Sequence, residues 1–74
     1  MNARELQDLL RDLLEGLIFA RDDADDSLAE LAERTKGIRQ ICTYDDVGIL
    51  TTDKGLVVEC DDGTELQVTI VRSK

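Results

Sequence analysis

Two different hydrophobic periods divide the chain into a helical half and a β half. In residues 1–37, apolar side chains recur at spacings of three and four, which is the period of one helix face. In residues 38–74, apolar and polar side chains alternate, as they do in half-buried strands. The pattern predicts an α+β fold, in which an N-terminal helix or helical hairpin packs on one face of a three- to four-stranded antiparallel β-sheet. We interpret residues 1–74 as a single small domain, with 1–37 helical and 38–74 a β-meander.

The first helix has a clear predicted start and a leucine-rich face. Asn2 followed by Glu5 matches the N-x-x-E form of a capping box, so the helix is predicted to begin at Ala3. The apolar stripe is then formed by leucines at spacings of 4, 3 and 4, namely Leu6, Leu10, Leu13 and Leu17.

The end of this helix has two interpretations. Four aspartates between positions 22 and 26 are poor helix formers, and Ser27 with Glu30 forms a second capping-box pattern before a C-cap at Gly37. These features predict a helix, an acidic break and a second helix. Alternatively, a continuous helix over residues 3–35 keeps its apolar positions on one face, and its overhanging end then requires a partner such as a second copy.

The alternation of apolar and polar side chains predicts the register of the C-terminal hairpin. A two-residue loop would place Val58 opposite Gln67, setting an apolar side chain against a polar one. A three-residue loop at 61–63 places Val58 opposite Leu66 and keeps one face apolar. The sequence therefore predicts a three-residue turn with Gly63 in the left-handed conformation.

The segment before the hairpin is less regular. Residues 47–51 resemble a strand, joined to the hairpin by 52–55. Residues 38–44 are compatible with a further strand or with an extended connector, and 44–46 carries a turn signal.

Charge and length exclude several classes of protein. The chain has 74 residues with 17 acidic and 9 basic side chains, a net charge of −8. This balance argues against direct binding to nucleic acid or to an anionic membrane. The chain has no apolar run long enough to span a bilayer, and its start does not resemble a secretory signal. We therefore expect a cytoplasmic protein.

Candidates for chemistry are few. The chain lacks histidine, the usual general base near neutral pH, and has only Cys42 and Cys60 as thiols. A reduced pair is favoured over one disulfide, and Cys60 falls on the apolar face of its strand. The aspartates near position 22 could hold a hard cation, but they lack the glycine and terminal glutamate of a calcium loop. We predict no enzyme activity, no catalytic residue, no metal site and no cofactor.

The strongest functional feature is an acidic run. Between positions 22 and 33 lie six carboxylates and no basic side chain: Asp22, Asp23, Asp25, Asp26, Glu30 and Glu33. Such a run can simply form a solvated face. It can also form a docking surface for a basic partner, with carboxylates taking the places of nucleic-acid phosphates.

The leucine-rich face supports a second hypothesis. It is broad for a helix that covers only a thin sheet, so Leu6, Leu10, Leu13 and Leu17 are candidates for a self-association surface. On this hypothesis the protein is a structural or assembly component that can form a homodimer.

The C-terminal half carries a resemblance to a known group of proteins. Gly-Leu-Val-Val at 55–58, Asp-Gly at 62–63 and Gln-Val-Thr-Ile-Val at 67–71 resemble small uncharacterised proteins encoded in bacteriophage and prophage genomes. The resemblance implies a phage accessory protein acting inside a bacterial host cell. Such proteins include inhibitors of host defence, among them small acidic anti-CRISPR proteins. It implies, for the acidic run, a basic host protein or nucleic-acid-binding complex as partner.

Overall fold

The order of elements confirms the predicted α+β arrangement. The computed structural model describes residues 1–23, 27–48 and 52–74. In these residues the elements are α1 (Ala3–Ala20), α2 (Ala29–Glu33), β1 (Ile38–Thr43), α3 (Tyr44–Val47), β2 (Lys54–Cys60) and β3 (Glu65–Ile70). The strands form one antiparallel sheet in the order β1-β2-β3, and α1 packs against β1 and β2.

Helix α1 begins where its capping residue predicts. The Asn2 side chain accepts a hydrogen bond from the Glu5 backbone N–H at 2.8 Å, and the first helical residue is Ala3. The helix ends at Ala20, followed by a turn in which the Asp23 N–H donates to the Ala20 carbonyl at 3.0 Å. The continuous helix over 3–35 is therefore wrong, because aspartate side chains compete with the helical backbone bonds. The interpretation as two helices separated by a break is correct.

Helix α2 is shorter than its sequence signals indicate. Its N-cap is Leu28 rather than Ser27, and no side chain caps its start. It ends after five residues at Glu33, so the C-cap is Arg34 instead of Gly37. Gly37 instead adopts a φ of +96° at the entry to β1, a conformation that glycine reaches without the steric cost of a Cβ.

The register of the β2–β3 hairpin is the predicted one. Val58 lies opposite Leu66, and Leu56 lies opposite Val68. The turn is closed by the Cys60 N–H donating to the Thr64 carbonyl at 2.8 Å, with Gly63 at a φ of +89°. The three-residue loop keeps the apolar side chains of both strands on one face.

The segment after β1 differs from its prediction. Val47 was predicted to begin a strand, but Tyr44–Val47 forms the short helix α3. A reciprocal capping box explains the change, because Thr43 Oγ1 accepts from the Asp46 N–H while an Asp46 carboxylate oxygen accepts from the Thr43 N–H, both at 3.1 Å. The rest of the predicted strand, residues 49–51, lies outside the described residues.

The core lies between α1 and the inner face of β1 and β2. Ile41, Leu56 and Val58 are its buried centre. Partly buried side chains from the helix and from the strand ends complete it, namely Leu10, Leu14, Ile18, Ile38 and Cys60.

A buried glutamine joins α1 to the start of β2. Gln7 is 1% exposed, and its Oε1 accepts from the Gly55 N–H at 3.1 Å. Gly55 lies one residue before Leu56, the first β2 residue that pairs with β1. The glutamine thus supplies the acceptor that the buried Gly55 N–H requires, at a position where β1 no longer pairs with β2.

On the other face of the sheet, Tyr44 packs against Gly55. A Cβ at position 55 would lie 2.6 Å from the tyrosine ring, so only glycine permits this contact. The Tyr44 hydroxyl is hydrogen-bonded to Thr69 Oγ1 at 2.6 Å, which connects α3 to β3.

Candidate interaction surfaces

The predicted acidic residues meet in part around one hollow. Asp22, at the end of α1, and Glu30 and Glu33, on α2, line an open depression together with Arg21, Ala29 and Lys36. All three carboxylate residues are exposed. Asp23 is also exposed and follows Asp22 in the turn after α1, whereas Asp25 and Asp26 lie outside the described residues. The fold therefore brings together an acid from the turn after α1 and two acids from α2.

Basic side chains at this hollow have defined partners. Lys36 Nζ forms an ion pair with Glu33 Oε2 at 2.7 Å. The Arg21 guanidinium donates to the carbonyls of Thr35 and Ile38, both at 3.0 Å, and so joins α1 to the start of β1. Asp22 and Glu30 form no ion pair with the described residues.

A second row of acids lies along α1. It was not identified from the sequence as an acidic feature. Its members occur at spacings of 3, 4 and 3, which places them on neighbouring turns of one helix face: Glu5, Asp8, Asp12 and Glu15. Arg11 forms ion pairs with Asp8 at 3.8 Å and with Asp12 at 3.2 Å. The hydrogen bond to Asp12 raises the pKa of the Arg11 guanidinium. The regular spacing of the carboxylates was the signal that could have revealed this row.

The four leucines proposed for self-association divide between core and surface. Leu17 is 6% exposed and Leu10 packs against the core, while Leu6 is half-buried. Leu13 is 51% exposed. Leu9, which is not one of the four residues predicted for self-association, is 50% exposed. The fold therefore uses the inner part of the leucine face, and Leu9 and Leu13 remain on the outer flank.

Strand β3 presents a further apolar surface. Leu66 is 53% exposed and Val68 is 45% exposed. Their pairing with Val58 and Leu56 places them on the same sheet face as the core, since directly opposed residues in antiparallel strands share a face. This face is buried over β1 and β2 and open over β3.

The cysteines are free thiols with structural surroundings. Cys42 is buried, and its Sγ accepts from Gln40 Nε2 at 3.1 Å, whereas Cys60 is half-buried beside the core. Cys42 pairs with Val57, three positions before Cys60 on β2. The two thiols therefore lie on opposite faces of the sheet, a geometry that does not allow them to form a bridge.

Two other kinds of feature are absent from the described residues. They contain no group of three or more His, Cys, Asp or Glu side chains placed to hold a metal ion. Among the same residues, no helix has both the length and the apolar character needed to cross a membrane. Comparison of the chain with protein-family models, with curated proteins and with solved structures finds no match.

Proposed function

We propose that this protein is a non-enzymatic interaction module that presents a carboxylate-rich helical surface to a basic surface of a partner protein. The observation that carries the proposal is the convergence of Asp22, Glu30 and Glu33 on one exposed hollow between the end of α1 and α2. The acid row of α1 adds further carboxylates at helical spacing to this protein's negative surface.

The net charge of −8 makes electrostatic attraction the expected source of affinity. Clustered charges of one sign accelerate encounter with an oppositely charged partner and disfavour partners of the same sign. Because these carboxylates are exposed, added salt screens their attraction over about 10 Å at 0.1 M ionic strength. Binding should therefore weaken steeply as salt increases.

The proposed partner is a nucleic-acid-binding complex of a bacterial host. A basic surface that accepts phosphates can also accept carboxylates, and the protein would then act as a competing inhibitor in the host cytoplasm. The carboxylates at helical spacing on α1 and the resemblance of the C-terminal half to phage accessory proteins support this assignment.

Two matched double variants test the acidic surface. Asp22→Asn with Glu30→Gln removes two charges at the hollow, and Asp61→Asn with Glu65→Gln removes two charges from the exposed end of the β2–β3 hairpin. Each variant is compared with the unaltered protein in a tagged pull-down from bacterial lysate at low and high salt, with and without added duplex DNA.

We expect the unaltered protein to capture a nucleic-acid-binding protein that is released by added DNA and by high salt. The first variant should fail to capture this protein, whereas the second should retain it. Equal retention by both variants would contradict the assignment of the binding surface. Capture that is insensitive to both DNA and salt would contradict the proposed electrostatic competition.

Self-association is a second candidate function, and the exposure of Leu13 and Leu9 on α1 favours it. Half-exposed leucines at adjacent turns are suited to covering by another apolar surface. A fall in the mass measured by light scattering after Leu13→Glu would support a helix-mediated assembly, whereas a monomeric unaltered protein would contradict it.

A further inference from the structure

We propose that β3 is a self-pairing edge, through which two copies join in one continuous antiparallel sheet about a two-fold axis at Val68. This inference deepens the second candidate function, self-association, and does not depend on the acidic surface. It places the contact on the sheet edge and not on the leucine face of α1.

The hydrogen-bonding groups of β3 define the edge. In an antiparallel pair, successive residues alternate between bonding to the neighbouring strand and pointing away from it. The Cys60 N–H donates to the Thr64 carbonyl, so this alternation assigns Leu66, Val68 and Ile70 to the β2 side. Glu65, Gln67 and Thr69 then direct their backbone N–H and C=O groups outward.

An independent contact supports the assignment. Gly55 lies opposite Thr69, and the alternation requires both residues to direct their N–H groups away from the β2–β3 ladder. The Gly55 N–H does so, because it donates to Gln7 Oε1 on the β1 side. The Thr69 N–H therefore points to the open side of β3.

Strand β3 has few of the features that usually block edge pairing. Proteins protect exposed edges with bulges, prolines or charged side chains, particularly lysine. The sequence Glu-Leu-Gln-Val-Thr-Ile contains no proline or lysine, and its pairing with β2 shows no register shift. Its one charged side chain, Glu65, lies at the first position of the strand. Its exposed Leu66 and Val68 make it an apolar edge, and its outward backbone groups form no hydrogen bond with any other part of the described chain.

The pattern of side chains selects one antiparallel register. A two-fold axis at Val68 places Leu66 opposite Ile70 of the second copy, and Gln67 opposite its Thr69. The outward-directed residues then face one another as hydrogen-bonded pairs, and all three apolar side chains of the face meet apolar partners. An axis at Gln67 would instead place Ile70 opposite Thr64 of the second copy. An axis at Thr69 would place Leu66 opposite its Arg72.

Charge complementarity at the two ends of β3, within a chain of net charge −8, favours a second copy as the occupant. The start of β3 is preceded by Asp61 and Asp62, and its end is followed by Arg72 and Lys74. In the proposed register, Arg72 lies opposite Thr64 of the second copy, and the basic segment after β3 lies near the acidic turn that precedes β3 of that copy. The segments before and after β3 therefore carry opposite charges, and self-pairing brings each segment near its opposite in the second copy.

Amide hydrogen exchange tests the pairing with an internal control. In the monomer, the amides of Leu66, Val68 and Ile70 are bonded to β2, and those of Gln67 and Thr69 face solvent. The proposal expects the second group to become protected as the concentration of the full chain rises, in step with dimer mass from sedimentation. Rapid exchange of Gln67 and Thr69 in a demonstrated dimer would overturn the β3 assignment.

A proline substitution tests the outward backbone groups. Gln67→Pro removes an outward N–H without removing a donor to β2, and Gln67→Thr is the matched control that retains the N–H. Since the symmetric contact loses this donor twice, Gln67→Pro should raise the dimer dissociation constant by roughly tenfold or more. An equal constant for both variants, each with the circular dichroism of the folded protein, would overturn the proposal.

A charge exchange tests the register. Thr64→Lys places a second cation opposite Arg72 of the other copy and should weaken the dimer, whereas Thr64→Lys with Arg72→Glu should restore it. Failure of the second change to restore the dimer would overturn the axis at Val68.

The leucine face provides the comparison that separates this inference from self-association in general. A dimer that survives Leu13→Glu but is weakened by Gln67→Pro supports β3 pairing. A dimer with the opposite response overturns β3 pairing and leaves helix-mediated self-association standing. A monomer at all concentrations overturns both.

Discussion

The two outer strands of the sheet have similar lengths but different surroundings. Strand β1 ends in the buried residues Ile41, Cys42 and Thr43, and its pairing with β2 is irregular between Ile38 and Gln40. The Ile38 carbonyl is also occupied by the Arg21 guanidinium. Strand β3 pairs regularly with β2, and its residues 65–69 are all exposed.

The difference shows that strand pairing alone does not determine how a strand contributes to the fold. Both outer strands pair with β2 and place apolar side chains on the same face. Only β1 has α1 packed closely over that face. The covered strand therefore contributes burial energy, whereas the apolar side chains of β3 remain available for a partner.

The largest expected effect comes from matched truncations on the two strands. Ile41→Ala removes a side chain that is 6% exposed and should lower the free energy of unfolding by about 3 kcal/mol. Val68→Ala removes one that is 45% exposed and should cost less than about 1 kcal/mol in the monomer. Urea denaturation at low protein concentration measures both, and equal losses would contradict the contrast between the strands.

The next effect sharpens the contrast at the point where β1 leaves the sheet. Gln7→Met keeps a side chain of similar size but removes the acceptor for the Gly55 N–H. An unsatisfied buried donor should cost about 2 kcal/mol of the free energy of unfolding. Gln67→Met on exposed β3 is the control. An equal loss of unfolding free energy in this control would contradict a special role for the Gln7 contact beside β1.

The smallest effect concerns a carboxylate next to each outer strand. Hydrogen bonds from the backbone N–H and then the hydroxyl of Thr43 lower the pKa of Asp46 after β1. Hydrogen bonds from the side chain and then the backbone of Thr64 lower the pKa of Asp62 before β3. Since unfolded aspartate has a higher pKa, near 3.8, the unfolded chain binds protons first as pH falls.

Both carboxylates therefore contribute stability above pH 3.8 that is lost as pH falls through their lower folded pKa values. Asp46→Asn and Asp62→Asn should each flatten the fall in the urea midpoint in acid. Unchanged pH profiles in both variants would show that these hydrogen bonds do not favour the charged forms.

Much of the fold was predictable because it depends on local patterns. The N-cap at Asn2 follows from a short-range hydrogen bond, and the hairpin register follows from the two-residue period of strands. Helix α3 was missed because four residues are too few to establish a helical period. The spacing of Thr43 and Asp46, which matches a capping box, was the local signal available.

The candidate surfaces were less predictable because they depend on packing between distant segments. The acid run was visible in the sequence, but its convergence on one hollow depends on how α2 packs beside the end of α1. The contact between Gln7 and Gly55 spans 48 positions, and no local spacing indicates it. The exposure of β3 likewise depends on how α1 packs across the sheet.

The packing of Tyr44 against Gly55 also gives the protein an intrinsic spectroscopic reporter. Tyr44 is the chain's one tyrosine, and the chain contains no tryptophan. Tyr44 is 3% exposed, and its hydroxyl is hydrogen-bonded to Thr69 Oγ1 on β3. Tyrosine fluorescence and near-ultraviolet circular dichroism therefore follow one contact among α3, β2 and β3, so that the closing of this part of the fold is observable without an added label.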